Sequence, residues 1–277
     1  MIRIVTDSSS DVPHEIAAEH GVEVVPLTIR FGDEEFVDRL DLTTASFWER
    51  LVLAEHLPET AAPSAGLFEE TYRSLISDGA TGIVVITISS ELSATFQSAV
   101  IAAEKVKGHV PIQVIDSMSV GMGLGLPVLE AAALATDGAS LDEVADHASR
   151  SIASTSIVAA LDTLEYLKRG GRVGSTQAFF GGLLNIKPLI TITDGVVAPL
   201  GRVRTRSKAI ASLEERAAAI GPAIKSAAVF HGAAGDIDSI VERIQQHIGV
   251  PVIVSMLGPV VGTHTGPGTV GIAYLTA

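Results

Sequence analysis

The feature that most constrains this chain is a buried strand that runs directly into a cluster of hydroxyl side chains. Residues 83–88, IVVITI, have the length and β-branched content of a buried strand, and residues 92–106 carry apolar side chains at helical spacing. Between and around them lie Ser89, Ser90 and Ser93. Hydroxyl groups and the free N–H groups at a helix start suit an anion such as a carboxylate or phosphate. Helix capping by serine explains the same residues, so this turn alone leaves both interpretations open.

Two further strands end in the same way. Residues 2–5 lead into TDSSSD at 6–11, and residues 112–115 lead into DSMS at 116–119. Parallel strands in an alternating β/α chain point in one direction, so their C-terminal ends meet at one edge, where ligands usually bind. The sequence therefore predicts a ligand site at this edge. Residues 6–11 also have the oxygen groups that a hard cation prefers, although Asx turns and capping before Pro13 explain them more simply.

The pattern of elements changes near residue 155. Before it, strands alternate with helices, which predicts a Rossmann-like α/β domain with a mainly parallel sheet. After it, six short strand-like runs are interrupted by two helical stretches, and Asp194-Gly195 between two of the runs is a strong hairpin signal. We therefore predict an N-terminal α/β domain over 1–155 and a C-terminal α+β domain over 156–277.

Composition excludes several classes of function. The 277 residues carry a formal net charge of −13, which disfavours binding to nucleic acid. Without cysteine there is no disulfide framework, no thiolate catalysis and no cysteine-bound zinc. The chain starts as a strand rather than as a signal peptide, and it contains no run of about 20 apolar residues. We expect a cytoplasmic protein.

No motif for a cofactor or for hydrolysis stands in the right context. The glycines of residues 266–271, GPGTVG, have dinucleotide-site spacing, but they lead into a final strand instead of opening a helix. There is no G-x-S-x-G, Walker or H-E-x-x-H motif. His264 lies in what we expect to be a glycine-rich loop, where a structural role and a ligand contact are both open.

Much of the positive charge falls in two short stretches. They are residues 167–174, LKRGGRVG, and residues 201–206, GRVRTR. Such clusters in an acidic chain attract a substrate anion or an acidic partner surface. A helix C-terminus that ends at Gly170 also explains the first cluster, but it explains the second poorly.

Taken together, these motifs resemble the DegV family, bacterial fatty-acid-binding proteins that act as the acyl-carrying partner of a fatty acid kinase. They occur in family order over essentially the whole chain, and several short motifs in one order are far more specific than any one alone. The matching residues are Thr6-Asp7-Ser8-Ser9-Ser10-Asp11-Val12-Pro13, Ser89-Ser90-Glu91-Leu92-Ser93-Ala94-Thr95, Val114-Ile115-Asp116-Ser117, Gly170-Gly171-Arg172, Asn185-Ile186-Lys187-Pro188 and His264-Thr265-Gly266.

The resemblance implies a long acyl chain in an apolar tunnel, with the carboxylate at the domain interface. Ser93 and His264 resemble the pair that hydrogen-bonds the carboxylate, joined in the family by a hydroxyl from the segment at 60–64. Ala61 lacks the hydroxyl that many relatives have there, which leaves Thr60 or a water in that role. Secondary pocket candidates are Ser64, Ser117 and Thr265. Candidates for contact with the partner are Arg172, Arg202 and Arg204.

The resemblance further implies a carrier without its own turnover, with no cofactor or metal and only transient membrane contact. Its partner would be a fatty acid kinase, a dihydroxyacetone-kinase-like protein, that converts the bound fatty acid into an acyl phosphate. Burial of about 15 methylenes at roughly 0.8 kcal/mol each would dominate the affinity. Two other hypotheses stay open: a hydrolase or acyltransferase that uses Ser93 and His264, and a sensor of another small anion.

Overall fold

The computed structural model describes residues 1–174 and 186–277. The strands are β1 (Ile2–Asp7), β2 (Val22–Val25), β3 (Thr28–Phe31), β4 (Glu34–Val37), β5 (Glu59–Ala61), β6 (Gly82–Thr87), β7 (Ile112–Asp116), β8 (Thr155–Ala160), β9 (Lys187–Thr193), β10 (Val196–Val203), β11 (Ile224–His231), β12 (Val252–Met256) and β13 (Val270–Thr276). The helices are α1 (His14–Glu19), α2 (Thr44–Leu53), α3 (Ala65–Ser77), α4 (Thr95–Lys105), α5 (Met122–Thr136), α6 (Leu141–Ser154), α7 (Glu165–Arg169), α8 (Arg206–Ile220), α9 (Ile237–Gln245) and α10 (Pro259–Thr265). Short 3-10 turns cover Ser8–Ser10 and Gly221–Ala223.

The N-terminal sheet has the order β2-β1-β6-β7, and all of its pairs are parallel. Every residue of β6 is buried, as expected for a central strand covered on both faces. The prediction of a Rossmann-like α/β unit with a mainly parallel sheet is confirmed. Parallel pairing brings the ends of β1, β6 and β7 to one edge, so the three serine-rich turns are neighbours.

The C-terminal half is built on a mixed sheet with the order β10-β9-β8-β13-β11-β12. β9 and β10 form the predicted hairpin, whose turn residues Asp194 and Gly195 have φ angles of 50° and 77°. This sheet with α8 and α9 confirms the predicted α+β architecture. The exact boundary at residue 155 stays a prediction.

Helix α5 lies between the two sheets. It contacts β1, β2 and β6 of the parallel sheet and β8, β11 and β13 of the mixed sheet. Most of its side chains are buried, which is typical of a helix that is apolar on all faces. No helix in residues 1–174 or 186–277 is long and apolar enough to cross a membrane.

The apolar run of residues 22–29 contributes to two strands that lie in different sheets. The run divides at Pro26 into β2 and β3, because proline has no N–H for the ladder. The sheet order is β4-β3-β5, and Thr60 of β5 lies opposite Ile29 of β3. Thr60 is therefore held on a strand.

The expected loop around His264 is also wrong, because this segment is helix α10. Phe47 and Trp48 of α2 pack directly on Gly262, where an added Cβ would lie 2.6 Å from Phe47 Cε1 and 2.8 Å from Trp48 Cζ2. The Trp48 Nε1–H donates a 3.0 Å hydrogen bond to the Leu257 carbonyl at the start of the helix. The glycine allows a close helix–helix contact here rather than a flexible loop.

Candidate functional site

A cavity of about 230 Å³ opens between the carboxyl edge of the parallel sheet and the mixed sheet. Its walls come from the turn between β6 and α4, from β8, β9 and β10, and from α10. The lining is mostly aliphatic and includes Ile88, Leu92, Ile157, Ile190, Val197 and Val261. A cavity of this kind suits an apolar ligand.

Five of the residues selected from the sequence line this cavity: Thr60, Ser93, Arg172, His264 and Thr265. Local contacts link them to one another. Thr60 Oγ1 lies 3.1 Å from His264 Nε2, and Arg172 is hydrogen-bonded to the carbonyl of Leu92, which precedes Ser93. The lining polar residue Thr191 instead donates its hydroxyl to the Ile157 carbonyl. The cavity therefore combines aliphatic walls with one polar cluster.

His264 is neutral and has hydrogen-bonding capacity to spare. Burial, reinforced by the positive charge of Arg172, lowers the pKa of His264 to about 4. Its Nε2 is paired with the Thr60 hydroxyl, whereas its buried Nδ1 has no hydrogen-bond partner in the described part of the chain. Buried polar atoms are rarely left unpaired, and this one is covered by the backbone of Gly170.

The backbone at Gly170 fixes the position of the His264 ring. A Cβ added at Gly170 would overlap His264 Nδ1. Gly170 directly follows α7, and α7 packs against α10. The Gly170-Gly171-Arg172 motif therefore leaves room for the imidazole and also supplies the neighbouring cation.

Ser93 lies two residues before the start of α4 and lines the cavity. Its Oγ accepts a 3.3 Å hydrogen bond from the Thr95 N–H and lies 2.8 Å from Thr95 Oγ1. Within the described residues no hydrogen bond joins Ser93 to His264. The N–H of Ser90 in the same turn is bonded to the Asp116 carboxylate. Because this N–H is already occupied, the side chains at this edge rather than the Ser90 N–H offer the ligand contacts.

Arg172 bridges two parts of the cavity wall. Its Nη1 donates to the Gly170 carbonyl at 2.8 Å, and its Nε donates to the Leu92 carbonyl at 3.4 Å. The side chain is exposed at its outer side. It therefore lies where a ligand head group and an approaching partner could both reach it. Arg202 on the edge strand β10 and Arg204 just after it are exposed and do not line the cavity.

The remaining candidates have structural contacts elsewhere. Ser64 is exposed and caps α3 by accepting a hydrogen bond from the Leu67 N–H. Ser117 is buried and donates to the Ser119 carbonyl at 3.2 Å. Neither lines the cavity. Asn185 of the family motif lies outside the described residues.

Sequence reasoning missed two elements of the site. The strands β9 and β10 supply a large part of the apolar wall, and no sequence signal connected them with Ser93. The placement of His264 on a helix was also missed, although glycines spaced four apart at 258, 262 and 266 indicate a closely packed helix face.

Comparison with known proteins gives consistent matches over the whole chain. A model of the DegV family, described as uncharacterised proteins, matches residues 1–277. A DegV domain-containing protein of Streptomyces coelicolor is 40% identical over 275 residues, which cover 98% of this chain and 97% of that protein.

Solved structures agree with this match. A fatty-acid-binding DegV family protein from Thermus thermophilus has a TM-score of 0.91 and 32% identity, with 100% of this chain and 99% of that chain covered. DegV of Bacillus subtilis, described as a fatty acid binding protein, has a TM-score of 0.88 and 31% identity, with coverage of 100% and 99%. The chain therefore belongs to the DegV family.

Proposed function

We propose that this protein binds a long-chain fatty acid, with the acyl chain in the aliphatic cavity and the carboxylate at the polar cluster. The observation that carries the proposal is the polar cluster of Ser93, Thr60, Arg172 and His264 in the lining of a mostly aliphatic cavity. Support also comes from the T. thermophilus and B. subtilis relatives, both of which are described as binding fatty acids.

The energetics favour a ligand with a long tail and an anionic head. Each buried methylene contributes roughly 0.8 kcal/mol, so the tail supplies most of the affinity. Burying a carboxylate is costly unless several donors satisfy it. Ser93, Thr60 and neutral His264 offer such donors, and Arg172 adds a positive charge. The tail therefore gives strength, and the polar cluster fixes the position of the head.

Lipid extraction followed by mass spectrometry tests the proposal directly. We expect a fatty acid to co-purify at close to one molecule per chain, and delipidated protein to bind added fatty acid again. Protein that repeatedly emerges empty, and that does not bind fatty acids of 14 to 18 carbons in titration, would contradict the proposal.

A double variant tests the head-group residues. Loss of a hydrogen bond to a charged group costs about 1.5–3 kcal/mol, so Ser93→Ala with His264→Ala should weaken fatty acid binding by roughly 100-fold or more. Ser90→Ala is the matched control, because Ser90 lies in the same turn but is exposed and does not line the cavity. Equal affinities of the double variant and the control would show that the head-group assignment is wrong.

We further propose that the protein is a carrier that presents the carboxylate to a fatty acid kinase. The kinase transfers the terminal phosphoryl group of ATP to a carboxylate oxygen, which gives an acyl phosphate and ADP. This step requires no cofactor bound to the carrier, and it would take place in the cytoplasm, where ATP is available. The exposed Arg202 and Arg204, with Arg172, offer positive charge to the kinase surface.

The kinase proposal is tested with fatty-acid-loaded protein, a purified bacterial fatty acid kinase and ATP. We expect acyl phosphate, trapped as the hydroxamate, only when both proteins are present. Arg202→Ala with Arg204→Ala should slow the reaction at low carrier concentration without changing fatty acid affinity. Arg150→Ala, at an exposed position in α6, is the matched control. Hydroxamate formation at the same rate in both variants would rule out this docking surface.

A further inference from the structure

The buried carboxyl of Asp11 lies outside the cavity lining but bonds to the helix that carries His264. Asp11 follows the 3-10 turn Ser8–Ser10 in a left-handed conformation, with φ at 53°. Its Oδ1 accepts a 2.8 Å hydrogen bond from the Gly258 N–H, the residue that caps the start of α10. Its backbone carbonyl accepts a 2.6 Å hydrogen bond from Ser255 Oγ. One residue of the N-terminal sheet edge thus makes two bonds to the chain some 250 positions further on.

A line of hydrogen bonds continues from Asp11 along α10. The Gly262 N–H donates to the Gly258 carbonyl at 2.8 Å, and the Gly266 N–H donates to the Gly262 carbonyl at 2.9 Å. His264 lies between these last two residues, roughly 9 Å from Gly258 at 1.5 Å rise per residue. A displacement of the first turn is therefore transmitted along a short, rigid element to the imidazole.

The placement of this carboxyl is costly. Asp11 is 3% exposed, and its Oδ2 has no hydrogen-bond partner in the described residues. The carboxyls of Asp7 and Asp38 and the guanidinium of Arg39 act on it electrostatically. An apolar side chain would leave no buried polar atom unpaired, so the hydrogen-bond acceptor at this position calls for a use beyond filling space.

We propose that Asp11 is a positioning residue for the head-group site: it anchors α10 so that the His264 ring keeps its contact with Thr60 in the cavity wall. Asp11 does not touch the ligand. The inference rests on the proposed function for its meaning, but it makes a separate claim about the ring of His264 in the ligand-free protein.

The side-chain NMR signals of His264 test this claim without any ligand. The signals are assigned by their disappearance in His264→Ala. Asp11→Ala should shift them, because the Gly258 N–H loses its acceptor. Asp11→Asn should leave them near their wild-type positions, because the amide oxygen can accept the same hydrogen bond. Asp38→Asn is the matched control, since Asp38 is buried but makes no hydrogen bond to α10 in the described residues. Should Asp11→Ala fail to fold, Asp11→Ser, with a shorter side chain, takes its place.

Binding provides the second readout, with tetradecanoic acid and 1-tetradecanol as probes. Loss of one head-group hydrogen bond corresponds to about tenfold in affinity, so Asp11→Ala should lower the preference for the acid over the alcohol by roughly tenfold. General loosening of the fold would weaken the binding of both probes equally. In the His264→Ala background Asp11→Ala should have no further effect on the preference, because the two changes act on one contact.

The outcomes separate the two proposals. Wild-type protein that binds neither probe contradicts the proposed function, while the NMR signals still decide the role of Asp11. Unchanged His264 signals in Asp11→Ala, or an acid preference that falls equally in the presence and absence of His264, would overturn the positioning role.

Discussion

Two serine-rich turns at the same sheet edge have different roles: one faces the cavity, and the other is buried. The turn after β6 turns Ser93 toward the cavity, where its hydroxyl is available to a ligand. The turn after β1 is buried, and the Asp7 carboxylate accepts hydrogen bonds from the Ser9 N–H and hydroxyl and from the Ile88 N–H. The first turn contributes to binding, whereas the second holds elements together. The meeting of strand ends at one edge therefore predicts where a ligand site lies. Packing against the other elements decides which serine-rich turn contacts the ligand.

The two regions also respond to pH in opposite directions. Burial raises the pKa of Asp7, and it raises the pKa of Asp11 to about 8. A carboxyl with a raised pKa keeps its proton in the folded protein, so stability is lost as pH rises from the unfolded value of 3.8 toward 8. The lowered pKa of His264 acts in reverse, because the folded protein excludes a proton that the unfolded chain binds. The contribution of His264 to the free energy of unfolding is complete above pH 6.5 and is lost as pH falls toward 4.

The largest expected effect is the loss of pH dependence in Asp11→Asn. The free energy of unfolding of wild-type protein should fall by up to about 1.4 kcal/mol per pH unit between roughly pH 4 and pH 8 through this group. The variant should show a flatter profile in urea unfolding. Equal slopes for the two proteins would mean that Asp11 does not titrate in this range.

A smaller effect of opposite sign is expected for His264→Gln. Ligand-free wild-type protein should lose up to about 3 kcal/mol of stability through His264 between pH 6.5 and 4. Glutamine cannot be protonated, so the variant should be more stable than wild type at pH 4.5 relative to pH 7. Urea unfolding at the two pH values measures this difference. If both proteins lose the same free energy, the imidazole is charged in the folded state.

Gly170→Ala should disturb the polar cluster alone. The added methyl overlaps His264 Nδ1, so the ring must move, and fatty acid affinity should fall by about 10- to 30-fold. The control is Gly235→Ala, because an added Cβ there meets no atom within 4 Å. Isothermal titration with a fatty acid provides the measurement. Matching affinities for the two variants would show that the contact with Gly170 does not set the ring position.

The smallest expected effect distinguishes residues of one turn that bind the ligand from a residue that holds the β9–β10 hairpin. Ser89 Oγ donates a 2.8 Å hydrogen bond to the Gly195 carbonyl at the tip of the β9–β10 hairpin. Ser89→Ala should cost about 1 kcal/mol in the free energy of unfolding and change fatty acid affinity less than twofold. Ser90→Ala, which removes an exposed hydroxyl, should change neither the free energy of unfolding nor the fatty acid affinity. A large loss of affinity in Ser89→Ala would mean that the hairpin position controls the ligand site.

The sequence by itself predicted that the serine-rich strand ends meet at one edge of the sheet. The alternation of apolar runs and helical patterns predicts parallel strands, and parallel strands must share one edge, so Ser93 and residues 6–11 had to be neighbours. The hairpin at Asp194-Gly195 follows from turn chemistry that needs only local residues. The ordered motifs selected Ser93, Thr60, His264 and Arg172, which line one cavity.

Only the tertiary structure decided which hydroxyls face that cavity. Ser64 and Ser117 have the same chemistry as Ser93, but they are occupied by a helix cap and by a turn carbonyl. His264 owes its low pKa to burial against α7 and to Arg172, and neither is encoded near it in the chain. The role of Asp11 depends on a contact with Gly258 across 247 positions. Local sequence fixes local conformation, whereas burial and spare hydrogen-bonding capacity are properties of surfaces that meet only when the chain has folded.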